Sequence, residues 1–245
     1  MRIEKAWNRS FVVERTDVIM RVSFASGYLM VTLQLRQMVV YPGDTLHLRD
    51  VDWAEFEAIV EELGDRRASR IAYFDRTLEL RMPLPKHEVD KELIGDMVKI
   101  LLEELDIDNE CFGSTTFKRQ DLGVGVEPDQ CFYIQNSAVM IGMRRLDLTV
   151  DPPPDLVIEV DVTSKTGLEV YRQLGVPEVW RFENGILQVS VLDRGVYQET
   201  ETSAQFPNIP IAQKVSEAVA NAQTIGRSKV LKTFRESVRS HLERV

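Results

Sequence analysis

The run Pro152–Val162, reading PPPDLVIEVDV, places acidic residues inside what otherwise reads as a buried β-strand. Leu156, Val157, Ile158, Val160 and Val162 are apolar and mostly β-branched, and Pro152–Pro154 keep a helix from entering the run. Side chains alternate faces along a strand, so Asp155, Val157, Glu159 and Asp161 share one face and Leu156, Ile158, Val160 and Val162 the other. Burying carboxylates without a cation is costly, so a metal or strong donors are expected to meet them. A second acidic strand start lies upstream in Val124–Ile134, VGVEPDQCFYI, where Pro128-Asp129 precedes the apolar run Cys131–Ile134. If the two strands are neighbours, Asp129 and Glu159 supply oxygen ligands for a hard divalent cation such as Mg²⁺. Each Pro-Asp also reads as ordinary turn chemistry. That reading leaves Glu159, inside the strand, unexplained.

A Pro-Asp strand, an acidic strand of the form PDLVIEV and then Gly175-Val176-Pro177-Glu178-Val179-Trp180 together resemble the Uma-type family of restriction-endonuclease-like proteins, in the PD-(D/E)XK nuclease superfamily. The resemblance extends back through Val51–Phe56, the Tyr73–Met82 hairpin and His87-Glu88, covering roughly Leu46–Glu199. It implies a metal-dependent phosphodiesterase fold in which Asp129 and Glu159, helped by the Val160 carbonyl, hold the ion and Glu88 completes the site. The superfamily lysine is expected two residues after the strand acid. Asp161 stands there instead, and the nearest lysine is Lys165. Lys165 then becomes the candidate for activating water or meeting the phosphate, and Asp161 for orienting a hydrated ion.

The chain has 245 residues, enough for a substantial core with appendages. With Cys111 and Cys131 as the cysteines and no charged-then-apolar leader, a cytoplasmic protein without a disulfide framework is expected. No apolar run approaches the ~20 residues that cross a bilayer. His47, His87 and His241 are scattered, without zinc spacing. A net charge of −9 argues against strong nonspecific affinity for nucleic acid. It does not exclude a nuclease, because local basic patches matter more than the sum. Lys118-Arg119 and Arg144-Arg145 are such patches, or ordinary solvated pairs.

The elements that must position these residues are readable in outline. Segments around Phe11–Val13, Val18–Phe24 and Tyr28–Leu35, with a turn at Gly27, suggest a small β-meander. Asp52 caps a helix over Trp53–Leu63, ended by Gly64. Arg70–Phe74 and Thr77–Met82 make a hairpin around Asp75-Arg76, and a helix follows from about His87 to Leu105 with Val89, Leu93, Met97, Leu101 and Leu105 on one stripe. Glu88 sits in its first turn, where the helix dipole alone would favour it. His87 reads as a cap or a solvated residue. A short helix over Leu168–Leu174 then joins the acidic strand to a strand over Val176–Phe182 with crossover length, so these strands pair in parallel. Tyr171 and Arg172 on that helix are further candidates for the cleft. Asn184-Gly185 signals the next hairpin. Two helices, Ile211–Ala222 and Ser228–Leu242, close the chain, the last with a basic face that docks on the core or binds nucleic acid or a partner.

These readings give an α/β, restriction-endonuclease-like core over residues 46–205, a mixed central sheet flanked by helices. A β-rich N-terminal appendage (1–45) precedes it and a helical C-terminal tail (206–245) follows. The expected activity is metal-dependent endonucleolytic hydrolysis of DNA with Mg²⁺ or Mn²⁺, using Asp129, Glu159, Lys165, Glu88 and Asp161, with no membrane partner and a homodimer left open. The competing class is a non-catalytic nucleic-acid- or protein-binding module that kept the fold.

Overall fold

The computed structural model of the chain describes residues 21–24, 27–30, 37–64, 68–160 and 165–244. They belong to two compact units, one drawn from Met1–Val39 and Ala54–Arg67, the other from Val40–Trp53 and Ala68–Val245. In the first, β1 (Arg21–Phe24) and β2 (Gly27–Met30) pair antiparallel, while the expected segment around Phe11–Val13 lies outside the described residues. Helix α1 (Trp53–Leu63) has the bounds its sequence suggests and buries Phe56 and Ile59.

The second unit is built on two sheets. An antiparallel five-stranded sheet has the order β3 (Thr45–Leu48), β5 (Thr77–Arg81), β4 (Arg70–Phe74), β8 (Val124–Val126), β7 (Phe117–Arg119). A mixed six-stranded sheet has the order β13 (Val196–Thr200), β12 (Ile186–Asp193), β11 (Glu178–Glu183), β10 (Leu156–Val160), β9 (Gln130–Tyr133), β6 (Glu110–Cys111). Among the described strands only β10 and β11 pair parallel, as the intervening helix α4 (Lys165–Leu174) requires; α4 begins earlier than the apolar spacing alone implies. The hairpins turn where the sequence places them. Asp75-Arg76 and Asn184-Gly185 all adopt positive φ, the geometry of two-residue turns that suit the right-handed twist of the strands.

Strand β10 is buried on both faces, and its alternation sorts the core into two layers. Leu156, Ile158 and Val160 pack with Leu93, Met97 and Leu101 of α2 (Pro85–Glu104) and with residues of α5 (Ile211–Ile225) and α6 (Arg227–Leu242). Val157 faces the opposite layer, among Cys131, Val126, Phe117, Val170, Tyr171 and Val179. Helix α2 starts two residues before the expected His87, because Pro85 at its first turn has no N–H to lose and its fixed φ suits a helix start. His87 serves as a cap, its Nδ1 accepting the Leu84 N–H at 3.3 Å.

Two acidic residues of the resembling motifs turn out to be structural. Asp155 accepts the N–H groups of Ile134 (2.7 Å) and Asn136 (3.0 Å) and the Asn136 amide (2.8 Å), so it ties off the loop that leads to α3 (Ser137–Met140). Glu178, fully buried, accepts from Trp180 Nε1 (2.5 Å) and from the N–H groups of Ala204 (2.8 Å) and Gln205 (3.2 Å), fastening the start of the tail to β11. The tail itself docks. Helix α6 buries Val230, Phe234 and Val238, while Arg235 and Arg239 pair with Glu103 and Glu104 of α2 and Arg227 pairs with Asp96.

Helix α2 crosses the six-stranded sheet closely at Gly95, where a Cβ would come within 2.1 Å of the buried Gln130 Oε1. Gln130 is held by its Nε2, which donates to the Lys91 carbonyl at 3.3 Å. Gly95→Ala should therefore lose about 1–3 kcal/mol to overpacking, although alanine is favoured in a helix by about 1 kcal/mol. In a Gln130→Ala background the same change should stabilise, a reversal of sign readable from urea midpoints. A Gly95→Ala protein more stable than the parent by about 1 kcal/mol, the full helix-propensity gain, would show that Gln130 yields freely.

Candidate functional site

The chain passes from the five-stranded to the six-stranded sheet through the corner Glu127-Pro128-Asp129, between β8 and β9. Because β9 and β10 pair antiparallel with Gln130 opposite Ile158, Asp129 and Glu159 arrive side by side. Asp129 Oδ2 accepts the Val160 N–H at 2.9 Å, which locks the corner onto the strand. Glu159 turns to the face opposite Ile158, and its Oε1 accepts the hydroxyl of Tyr171 from α4. The sequence-based pairing of these two acids is thus realised in the fold.

What meets them is a pair of arginines. Arg70 on β4 and Arg81 on β5 stand directly opposite in the hairpin register, where like charges repel. Arg70 resolves this by spreading its guanidinium over three acids, with Nη1 3.6 Å from Glu127, Nε 3.4 Å from Asp129 and Nη2 3.5 Å from Glu88. Arg81 Nη2 lies 3.2 Å from Glu159 Oε2 and 3.8 Å from Asp129 Oδ1. The side chains of Asp129 and Glu159 are each 5 % exposed, so these ions face one another with little water between them. A cleft lined by Arg70, Arg81, Glu79, Glu127, Glu159 and Gly167 opens from the cluster.

Two guanidinium groups shared among Glu88, Glu127, Asp129 and Glu159 cannot neutralise all four. Burial, reinforced by the Asp129 charge, pushes the Glu159 carboxyl up to about 7, against the opposing pull of Arg81 and Tyr171. Burial works to lower Arg81, but Glu159 and Asp129 outweigh it and raise the guanidinium above its ordinary range. Tyr171 is raised well above the usual phenol value by burial and by Glu159, so it remains a hydrogen-bond donor at neutral pH.

Of the residues singled out from the sequence, Asp129 and Glu159 meet at the centre and Val160 adjoins them through its N–H. Glu88 reaches the cluster through Arg70 and also binds Lys91 Nζ at 2.5 Å. Lys165 is the first residue of α4, and Asp161 lies outside the described residues. Tyr171 is buried and reaches the cluster through its hydroxyl, which donates to Glu159, whereas Arg172 turns to Glu169 and the Gly195 carbonyl. Among the basic pairs, Arg119 is engaged by Asp121 and by the Leu148 carbonyl. Arg70, Arg81 and Glu127 escape a sequence reading. Their one signal is that Ile71, Tyr73, Leu78 and Leu80 claim the apolar face of the hairpin, leaving Arg70, Ala72, Glu79 and Arg81 together on the other.

Residues 53–221, well over half of the chain, match the family described as "Uma2: Putative restriction endonuclease". No curated protein matches the chain. A solved structure described as a "putative nuclease belonging to DUF820", from Anabaena variabilis ATCC 29413, is 14% identical with a TM-score of 0.41, covering 59% of this chain and 84% of that one.

The elevated Glu159 carboxyl makes stability depend on pH. Between its ordinary value of 4.5 and about 7 the folded state holds a proton that the unfolded state releases, so the stabilisation is complete below about 4.5 and is lost as pH rises through about 7. In metal-free buffer, Glu159→Gln should remove this fall from a plot of urea-unfolding free energy against pH. Parallel curves for the two proteins would show that Glu159 is ionised throughout.

Proposed function

The chain belongs to the Uma2 restriction-endonuclease family, and on that footing we propose that the Asp129–Glu159 cluster is a nuclease active site that hydrolyses phosphodiester bonds in DNA with Mg²⁺ or Mn²⁺. One observation carries this reading: two buried carboxylates, Glu159 on β10 and Asp129 in the corner before β9, turn one oxygen each toward a common cation, Arg81 Nη2, at 3.2 and 3.8 Å. Among the described residues no three His, Cys, Asp or Glu side chains gather as a ready metal cage. Mg²⁺ commonly uses one or two carboxylates and completes its shell with water and phosphate, so this donor set suits it.

Asp129 and Glu159, with the Val160 carbonyl, would hold the ion, whose chemistry is to acidify an attacking water and to stabilise charge growing on the phosphate. The chain's own contribution is preorganisation. The Val160 N–H fixes one oxygen of Asp129 and Tyr171 fixes one of Glu159, so neither carboxylate must reorient when its other oxygen is used. Arg70 and Arg81 bring positive charge to the cleft where a phosphodiester would lie, and Glu88 steadies Arg70 from the first turn of α2. Lys165, opening α4, would meet the scissile phosphate, and Asp161 would orient water around the ion.

A non-catalytic binding module with the same fold is favoured by a different observation: all four oxygens of Asp129 and Glu159 already face protein donors or cations. Plasmid nicking separates the two. With Mg²⁺ or Mn²⁺ the wild-type protein should nick DNA and gain thermal stability by mass action. Asp129→Ala and Glu159→Ala should lose both responses while keeping wild-type circular dichroism. Equal nicking by all three proteins would overturn the site, and an inactive wild type with both ions would favour the binding module. Lys165→Met should lower turnover by at least ~100-fold, the scale on which single charge-stabilising donors act. Cleavage at the wild-type rate would remove Lys165 from the mechanism.

A further inference from the structure

Two ligand oxygens and a guanidinium nitrogen compete for one point in the cluster. Asp129 Oδ1 and Glu159 Oε2 lie 3.8 and 3.2 Å from Arg81 Nη2, and the Arg81 side chain is only 14 % exposed. A Mg²⁺ ion bonded to both oxygens at about 2.1 Å would carry its charge close to the guanidinium that lies against the same two atoms. Leaving Arg81 there would set three positive charges within a few ångströms of each other against the two carboxylates. Repulsion between the two cations therefore disfavours holding both at once.

We infer that Arg81 is a positioning residue that exchanges with the metal. In the metal-free protein it stands in for the ion and holds Asp129 and Glu159 together, and it withdraws into the cleft when the ion enters. This rests on the metal-binding reading of Asp129 and Glu159. The placement of Arg81 supports an exchange over a permanent strut. Of the two opposed arginines, Arg70 is shared among Glu127, Asp129 and Glu88, so it has anions to face in either state. Arg81 faces the two proposed ligands. It also emerges from the last residue of β5 and lines the mouth of the cleft.

Exchange and strut make opposite forecasts for metal affinity. Deleting the guanidinium removes a competitor and leaves two mutually repelling carboxylates, so the full-length Arg81→Met protein should bind Mn²⁺ at least ~10-fold more tightly than wild type in isothermal titration calorimetry. The same protein should melt lower than wild type without the ion, because a buried pair has lost its partner, and should recover when Mn²⁺ is added. If Arg81→Met is unfolded in metal-free buffer, refolding on Mn²⁺ addition reads the same exchange by circular dichroism. Unchanged or weaker Mn²⁺ binding in Arg81→Met, beside a wild type whose binding Asp129→Ala abolishes, would overturn the exchange and leave the metal site standing. An Arg81→Met protein that stays unfolded with Mn²⁺ would likewise make Arg81 a strut. Absence of Mn²⁺ binding in both wild type and Arg81→Met would overturn the metal site and the exchange with it.

Discussion

The structure depends on two arginines that face each other across a hairpin and can do so only because acids from another sheet surround them. Arg70 and Arg81 are in direct cross-strand register, an arrangement that by itself destabilises a hairpin. Asp129 and Glu159 are buried carboxylates, which by themselves oppose folding. Brought together, each set makes the other tolerable. Such a cluster adds little net stability compared with apolar packing, yet removing one member costs about 3–5 kcal/mol. Its stronger effect is on register, since a one-residue slip of β4 or β5 would turn that strand's guanidinium to the opposite face and leave its carboxylates without it.

This constraint explains which parts of the site were legible in the sequence. The alternation of Leu156, Ile158 and Val160 against Val157 and Glu159 follows from the two-residue period of a strand, and the fold keeps it. Pro128-Asp129 marked the start of β9 because proline and aspartate are local signals. Arg70 and Arg81 carried no such signal. An arginine at the first or last position of a strand ordinarily reaches solvent, and these two are buried by groups 18 to 78 positions distant in the chain. Asp155 shows the converse. Its spacing from Glu159 suggests a shared role, but it precedes the strand, where the N–H groups of Ile134 and Asn136 take it as a loop tie. Periodicity fixes a face and cannot say which neighbour waits on it.

The fold supplies the site with an asymmetry that a bare pair of acids would lack. Each central carboxylate has one oxygen fixed by a neutral donor, the Val160 N–H or the Tyr171 hydroxyl, and the other turned toward a cation. The two donors come from a strand and a helix packed in the core, so the oxygens they hold move little. In each group one oxygen is held by a neutral donor and the other by charge.

The docking of the last helix has a kinetic side. Arg227, Arg235 and Arg239 are spent on Asp96, Glu103 and Glu104, which removes much of the cationic face that α6 would otherwise offer. A chain of net charge −9 that neutralises its own basic residues in this way presents a repulsive far field to any polyanion. Encounter with such a partner would then quicken with added salt, because screening weakens a repulsion, and the usual slowing would be absent. A polyanion would then not be gathered from a distance, and only contacts made within a Debye length of the surface could favour it.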